Sequence, residues 1–438
     1  MKRYLFFYLC VLIVSFGGFL SGFDTGVISG AMIYIQKSFN INSISLGFLV
    51  SSISLGAVIG ALINGFLVDK YGRKKILLLV AIVFAFGSIF CSISQNILQL
   101  VFSRIIIGFA VGVVSFVAPL YLSEISIKEK RGQIVSFYQL SLTFGILFSY
   151  FVNYLCSFSE FNWRLMLLVG AFPALILFFG MLFQNETPRW LVLNNQEQEA
   201  RNTFTKLNFE IDFEKEIENI KNTQLNQNVK ITKKILKPLL IGIGIMFCQI
   251  ATGINAIIYY TPTIFKLIGF NSNQEALIGT IIIGFINFLM TFVAIVFVDK
   301  VGRKPLLYFG LLGMMFGLLV LSSTFIYGNE LTKYLGVFAC AIYIISFSMS
   351  LGPIALLLIS EIFPLKYRGC AMSISIVTNF IFNFIVTGVF PILLNKIGGC
   401  LTFLSFAFIC FLSILFVRFF IPETKSISLE EIEMKYGA

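Results

Sequence analysis

The sequence predicts an all-α membrane protein whose twelve transmembrane helices form two related halves of six. Three observations carry this. Of 438 residues, 58% are hydrophobic and 12% charged, and the mean hydropathy is +0.92, more apolar than a soluble chain of this length requires. Twelve apolar stretches reach the ~20 residues that a helix needs to cross a bilayer. Short charged motifs between those stretches also return, in the same order, in the second half of the chain.

The first stretch, 5–35, follows Lys2-Arg3 and continues past Gly30 without a small-residue cleavage site, so it reads as a retained span and not a signal peptide. Within Gly22-Phe23-Asp24-Thr25-Gly26-Val27-Ile28-Ser29-Gly30 it holds one carboxylate, Asp24. A charge in hydrocarbon is costly, faces the bundle interior and marks an ion or proton path. Stretch 44–68 ends at Asp69, 75–94 has no charge after Lys75, and 97–122 carries Arg104, the one cation placed as deep as Asp24. Stretch 133–156 contains Gln139, and 164–184 runs up to Glu186-Thr187. A long polar segment, 185–237, follows; Glu210, Glu214, Lys215 and Glu218 have helical spacing, which predicts a linker with short amphipathic helices and solvated charges.

Stretch 238–268 opens the second half with Gln249, Asn255, Tyr259 and Tyr260, and its Gly253 and Pro262 suggest a broken helix lining a cavity. Asn287 lies in 275–298, 305–327 is uncharged, 334–359 includes Gly352-Pro353, 368–394 holds Asn379 and Asn383, and 399–421 is the last span. The expected division is therefore 1–184, a linker 185–237, 238–421, and a tail 422–438.

The net charge of +11 is dispersed in clusters between apolar runs, which is a topology signal and not a nucleic-acid surface. With the amino end inside, Lys2-Arg3, Lys70 to Lys75, Lys128 to Arg131, the linker, Lys300 to Lys304, Lys366 to Arg368 and the tail are all cytoplasmic. Only Lys37, Arg164, Lys266, Lys333 and Lys396 remain outside. Histidine is absent, which excludes His-based metal sites and His-dependent triads. The eight cysteines, Cys10, Cys91, Cys156, Cys248, Cys340, Cys370, Cys400 and Cys410, form no CxxC pair and read as small core residues. No nucleophile, base and oxyanion donor occur together, so an enzyme is not expected, nor a cofactor or metal.

The repeat has a fixed register. Asp69-Lys70-Tyr71-Gly72-Arg73-Lys74 returns as Asp299-Lys300-Val301-Gly302-Arg303-Lys304, an offset of 230 (69 to 299). Ser123-Glu124-Ile125 with Lys130-Arg131-Gly132 returns as Ser360-Glu361-Ile362 with Tyr367-Arg368-Gly369, and Glu186-Thr187 as Glu423-Thr424, both at 237 (123 to 360, 186 to 423). Duplicated halves related by an axis along the membrane normal bind substrate near the midplane and rock against each other.

With Pro119-Leu120-Tyr121-Leu122-Ser123-Glu124, Glu186-Thr187-Pro188-Arg189-Trp190, the Gln249 to Tyr260 stretch, Ser360-Glu361-Ile362-Phe363-Pro364 and Pro422-Glu423-Thr424-Lys425 added, nearly the whole chain resembles the sugar porter branch of the major facilitator superfamily. The resemblance implies a proton-coupled importer of a monosaccharide or polyol working by alternating access. A facilitative uniporter on the same fold and a non-transporting sugar sensor are the rival readings. The expected partners are that sugar or polyol, a proton and the lipid bilayer, with no nucleic acid, and the chain is expected to act as a monomer. Short outer loops, with the one Asn-x-Thr site (Asn185-Glu186-Thr187) inside, favour a bacterial inner membrane with both termini cytoplasmic.

Residue roles follow. Asp69 with Arg73, Glu124 with Arg131, and Asp299, Arg303, Glu361 and Arg368 fall at inner span ends, where pairing across helices would latch the inner side while it is closed; the resemblance adds Glu186 and Arg189. In the duplicate half Ala251 aligns with Asp24 and Ala341 with Arg104, so one half is expected to handle a proton and the other most of the sugar. The two charges lie at similar depth and can meet, and burial and a neighbouring cation act in opposite directions on a carboxylate, which leaves it titratable. Sugar-contacting residues are expected at Gln139, Gln249, Asn255, Asn287, Asn379 and Asn383, with Tyr259 and Tyr260 beside them. Two departures from the family pattern stand out, Ile250 in place of a second glutamine and Leu356 in place of a tryptophan.

Overall fold

A computed structural model describes residues 2–126, 130–207, 213–214, 216–218, 220, 236–327, 330–363 and 368–423; of these, 2–5, 298–300, 327, 330–331, 368 and 370 are described by backbone alone. Among the described residues the only regular structure is helix, and twelve segments are long and apolar enough to cross a membrane. Spans one to five are Lys2–Phe39, Ser43–Tyr71, Arg73–Ile93, Ile97–Glu124 and Arg131–Cys156. Span six is two helices, Asn162–Val169 and Ala171–Leu182. Span seven is Leu236–Ala251 and Ile254–Leu267, eight is Asn273–Val301, and nine is Arg303–Tyr327. Span ten is Glu330–Met349 and Leu351–Ile362, eleven is Arg368–Lys396, and twelve is Gly398–Phe420.

Prolines explain the breaks that the hydropathy pattern did not anticipate. A helical proline lacks an N–H and its ring collides with the carbonyl four residues back. Pro173 and Pro353 place that collision at Val169 and Met349, where spans six and ten each change helix. The expected break in span seven falls at Thr252-Gly253, where Gly253 takes φ +96°, a left-handed conformation that suits glycine. Pro262 stays inside a helix, and the carbonyl it frees, that of Ile258, accepts a hydrogen bond from the Tyr150 hydroxyl at 3.0 Å. Pro391 likewise frees the Thr387 carbonyl, which accepts from the Tyr260 hydroxyl at 3.1 Å.

Span one packs on span five and span two on span four. The halves meet where span two lies against eleven and span five against eight. Under the repeat, two corresponds to eight and five to eleven, so each contact is the image of the other, as an axis between the halves requires. Close packing of spans one and five depends on a stripe of small residues: a Cβ at Gly18, Gly22 or Gly26 would collide with Tyr138, Leu142 or Ser149. On the outside, bulky side chains such as Phe66, Phe102, Phe172, Phe309 and Phe419 are exposed, as a lipid-facing surface demands.

Of the linker, Pro188–Leu193 and Glu197–Leu207 are helices; Glu214 and Glu218 are exposed, Glu214 pairing with Arg201, while Glu210 and Lys215 lie outside the described residues. Cys10, Cys91, Cys248, Cys340 and Cys410 are buried free thiols and Cys156 and Cys400 are half-buried, whereas Cys370 lies outside the described side chains.

A Gly22→Ala substitution forces spans one and five apart and lowers stability by about 1–3 kcal/mol through overpacking. Gly65, with no atom near its missing Cβ, supplies the control. Thermal unfolding in detergent is expected to shift downward for Gly22→Ala and not for Gly65→Ala; coincident melts would contradict this packing.

Candidate functional site

A cavity of about 210 Å³ lies between the halves, lined by residues well inside the spans of both. Gln139, Gln249, Asn255, Tyr259, Asn287, Asn379 and Asn383 all line it. Tyr260 does not. Adjacent helical residues point about 100° apart, so while Tyr259 faces the cavity Tyr260 turns to span eleven, buried against Phe390 and capping the Thr387 carbonyl.

The amides hold one another in place. The Asn379 side-chain N–H donates to Gln249 Oε1 at 2.9 Å, and Gln249 Nε2 donates to the carbonyls of Leu351 and Gly352 at 3.0 and 3.3 Å, just after the break in span ten. Asn255 Nδ2 donates to Asn383 Oδ1 at 2.8 Å, and Asn383 Nδ2 donates across the halves to Ser54 Oγ at 2.9 Å. Ser348 Oγ donates to Asn287 Oδ1 at 2.7 Å. Fixed amides with spare donors and acceptors can recognise a ligand rich in hydroxyls, each of which both gives and accepts a hydrogen bond.

Sequence reasoning missed the hydroxyls of Ser21, Thr25, Ser54, Ser115 and Thr143 and the rings of Phe347 and Phe380, which also line the cavity. Ser and Thr abound in apolar helices, where they bond to the carbonyl one turn back, so singly they give little signal. Ser21 and Thr25 could have been found from Asp24, which sits next to one and a turn from the other. Ile250 and Leu356, the two departures from the family pattern, both lie in the wall, which is therefore apolar at those points.

Asp24 and Arg104 meet beside the cavity. Arg104 Nη2 is 3.5 Å from Asp24 Oδ2, and the two residues are 0% and 2% exposed. Arg104 Nε donates to the Leu49 carbonyl at 3.2 Å, and Nη1 is buried without a partner. A charge pair in an apolar interior persists only when each member is compensated, and here the compensation is incomplete. Thr25, the next residue along, reaches the cavity wall.

The duplicated loops form two matching clusters at one end of the bundle. Gly72 alone joins spans two and three, and Gly302 spans eight and nine, with φ +87° and +108°. Arg73 Nη2 bonds Glu124 Oε1 at 2.8 Å, and Arg303 Nη2 bonds Glu361 Oε1 at 2.9 Å. The Glu186 carboxylate accepts from the backbone N–H groups of Arg73 and Lys74, each at 3.0 Å, while Glu423 does the same for Arg303 and Lys304 at 3.1 and 3.0 Å. Each glutamate thus caps a helix N-terminus, where the dipole favours an anion. Burial raises the Glu186 carboxyl above the usual carboxylate range, against the lowering effect of these donors and of Arg73.

Several expected pairings are redrawn. Glu124 pairs with Arg73 and not with Arg131, which is exposed at the start of span five and has no ion pair among the described residues. Arg189 is half-buried and likewise has none. Asp69 is 82% exposed and 4.0 Å from Arg73, a weak contact beside the buried Glu124. The described pairs join helices within one half, so their geometry does not depend on how the halves sit. Asp299 and Arg368 lie outside the described side chains. Across the halves, the Asn395 side-chain N–H donates to Ser43 Oγ at 3.1 Å, and with Tyr150–Ile258 and Asn383–Ser54 it lies away from the duplicated loops.

Residues 10–436 match the family described as sugar (and other) transporter. A putative metabolite transport protein of Bacillus subtilis is 41% identical over 95% of this chain and 92% of its own length. The galactose-proton symporter of Escherichia coli is 38% identical over 98% and 93%. Among solved structures, the inward-open conformation of the E. coli xylose transporter superposes with a TM-score of 0.87 at 29% identity, covering 98% of this chain and 100% of that one.

Removing one member of a buried ion pair strands the other, at a cost of about 3–5 kcal/mol. Arg73→Ala is expected to destabilise the protein on that scale, whereas Arg131→Ala changes stability by less than about 0.5 kcal/mol. Detergent melts of the two variants measure the contrast, and equal shifts would contradict the assignment of Glu124 to Arg73.

Proposed function

Because this chain belongs to the sugar transporter family, the sugar porter branch of the major facilitator superfamily, we propose that it imports a monosaccharide or polyol together with a proton by alternating access. The observation that carries the proton is the Asp24–Arg104 pair, buried beside the cavity at 3.5 Å in one half, where the other half has Ala251 and Ala341. The galactose-proton symporter among its relatives supports the same reading. Ionised Asp24 holds Arg104; a proton arriving at the carboxylate removes that attraction and frees the guanidinium, which lets the loaded carrier change conformation.

Gln139 on the first half and Gln249, Asn255, Tyr259, Asn287, Asn379 and Asn383 on the second bind the sugar. Tyr260 is withdrawn from this set, since its hydroxyl is taken by the Thr387 carbonyl. Asp69, Arg73, Glu124, Glu186, Asp299, Arg303, Glu361 and Arg368 brace the cytoplasmic ends of the two halves, 1–184 and 238–421, which the linker 185–237 joins ahead of the tail 422–438. Arg131 and Arg189 act only when the cytoplasmic side closes, because neither has an ionic partner among the described residues in this conformation. The chain works as a monomer, its cavity being complete within one copy, and sits in a bacterial inner membrane with both termini cytoplasmic.

Asp24→Asn separates exchange from coupling. Reconstituted in vesicles, the variant is expected to exchange labelled sugar but not to accumulate it against a gradient under an imposed pH step. Undiminished accumulation would refute coupling through Asp24, and pH-independent equilibration by the parent protein would make it a uniporter.

A further inference from the structure

Spans two and four form one tightly packed block. A Cβ at Gly56 would collide with the Ile105 carbonyl, one at Gly108 with the Ile53 carbonyl and one at Gly112 with the Ala57 carbonyl, so backbone lies directly on backbone there. Arg104, on span four, adds its bond to the Leu49 carbonyl of span two. The block is tied in two places. The Asp24–Arg104 pair ties it to span one, and Ser54, further along span two, ties it to the second half by accepting from Asn383 Nδ2 at 2.9 Å. Among the described residues this is the one hydrogen bond that joins a cavity amide of the second half to the first. Asn383 in turn holds Asn255 through its Oδ1 at 2.8 Å, and all three residues line the cavity. Ser51 and Ser52 donate to carbonyls of their own helix, the usual fate of a serine in an apolar span, whereas Ser54 gives its oxygen to the other half.

We propose that Ser54 is a positioning residue for coupling: it orients Asn383 and carries the state of the Asp24–Arg104 pair to the sugar amides through the block of spans two and four. The inference deepens the sugar–proton reading of the cavity and rests on it. With Asp24 ionised, the block is held to span one. Protonating the carboxylate slackens that tie and frees the block to follow span eleven, to which Ser54 binds it. A sugar gripped by Asn255 and Asn383 then meets a wall that can close on it. Proton and sugar therefore favour each other's binding by the same factor, as linkage requires. Cys91 on span three and Tyr259 and Tyr260 on span seven also face the pair. Thiols and phenols ordinarily titrate near about 8.5 and 10, so in mildly acid to neutral solution the carboxylate is the group that changes charge.

The test titrates the purified full-length protein calorimetrically with D-glucose, D-galactose, D-xylose, L-arabinose and myo-inositol, at about pH 5 and about pH 7.5. The parent is expected to bind one or more of the five at least about fivefold more tightly at the lower pH, the low end of ordinary coupling. For that compound Ser54→Ala is expected to show a pH ratio below about twofold. Ser54→Thr, which keeps the hydroxyl, is expected to keep the parent's ratio. A Ser54→Ala protein with the parent's ratio, including one that binds more weakly by the same factor at both pH values, would overturn the relay and leave symport standing. So would a Ser54→Thr protein that loses the ratio as fully as Ser54→Ala. A parent that binds none of the five, one that binds without pH dependence, or a ratio that survives Asp24→Asn overturns both the relay and the coupling it rests on.

Discussion

An aspartate and an arginine with almost no contact with water, set inside a helix bundle, constrain the rest of this molecule. Neither charge is tolerable alone at that depth. Each needs the other, and Arg104 needs the Leu49 carbonyl as well, yet one of its N–H groups still has no partner. Such an arrangement is poised and not locked. Neutralising the carboxylate removes much of what holds the guanidinium, and in the proposed cycle that change is the switch. The glycine stripe that draws span one onto span five, with Gly22 and Gly26 flanking Asp24, places the carboxylate at this depth and at the edge of the cavity.

The duplication shows what is shared between the halves and what is not. At the loop ends they are near copies: a single glycine turn, an arginine–glutamate pair, and a second glutamate capping the following helix. At mid-depth they diverge. One half carries the charge pair, while the other carries most of the amides, on spans seven, eight and eleven. A symmetric frame with an asymmetric centre suits a carrier in which one side manages a proton and the other grips a polar cargo.

Much of this was legible in the sequence because membrane insertion and duplication both leave long, redundant signals. Twelve apolar runs, the charged loops and the helix-breaking Gly253 could be read directly, and so could the meeting of Asp24 with Arg104, since two lone charges of opposite sign at one depth have few other options. What failed depended on side-chain direction. Tyr259 and Tyr260 look equivalent in the sequence, and only the helical turn, together with the carbonyl freed by Pro391, separates cavity wall from packing. Glu124 and Arg131 are near in sequence, but the partner of Glu124 arrives from the end of another loop as Arg73. The wall hydroxyls of Ser21, Thr25, Ser54, Ser115 and Thr143 were invisible because they come from four spans and such residues are common in all of them.

In the proposed cycle sugar and proton move together because one carboxylate gains and loses a proton as the carrier turns over. External pH, followed when a transported sugar is added to de-energised, weakly buffered vesicles, reports that coupling. Coupled entry produces a transient alkalinisation that accompanies sugar uptake and disappears when a protonophore short-circuits the proton gradient. Sugar entry with no movement of external pH would contradict it.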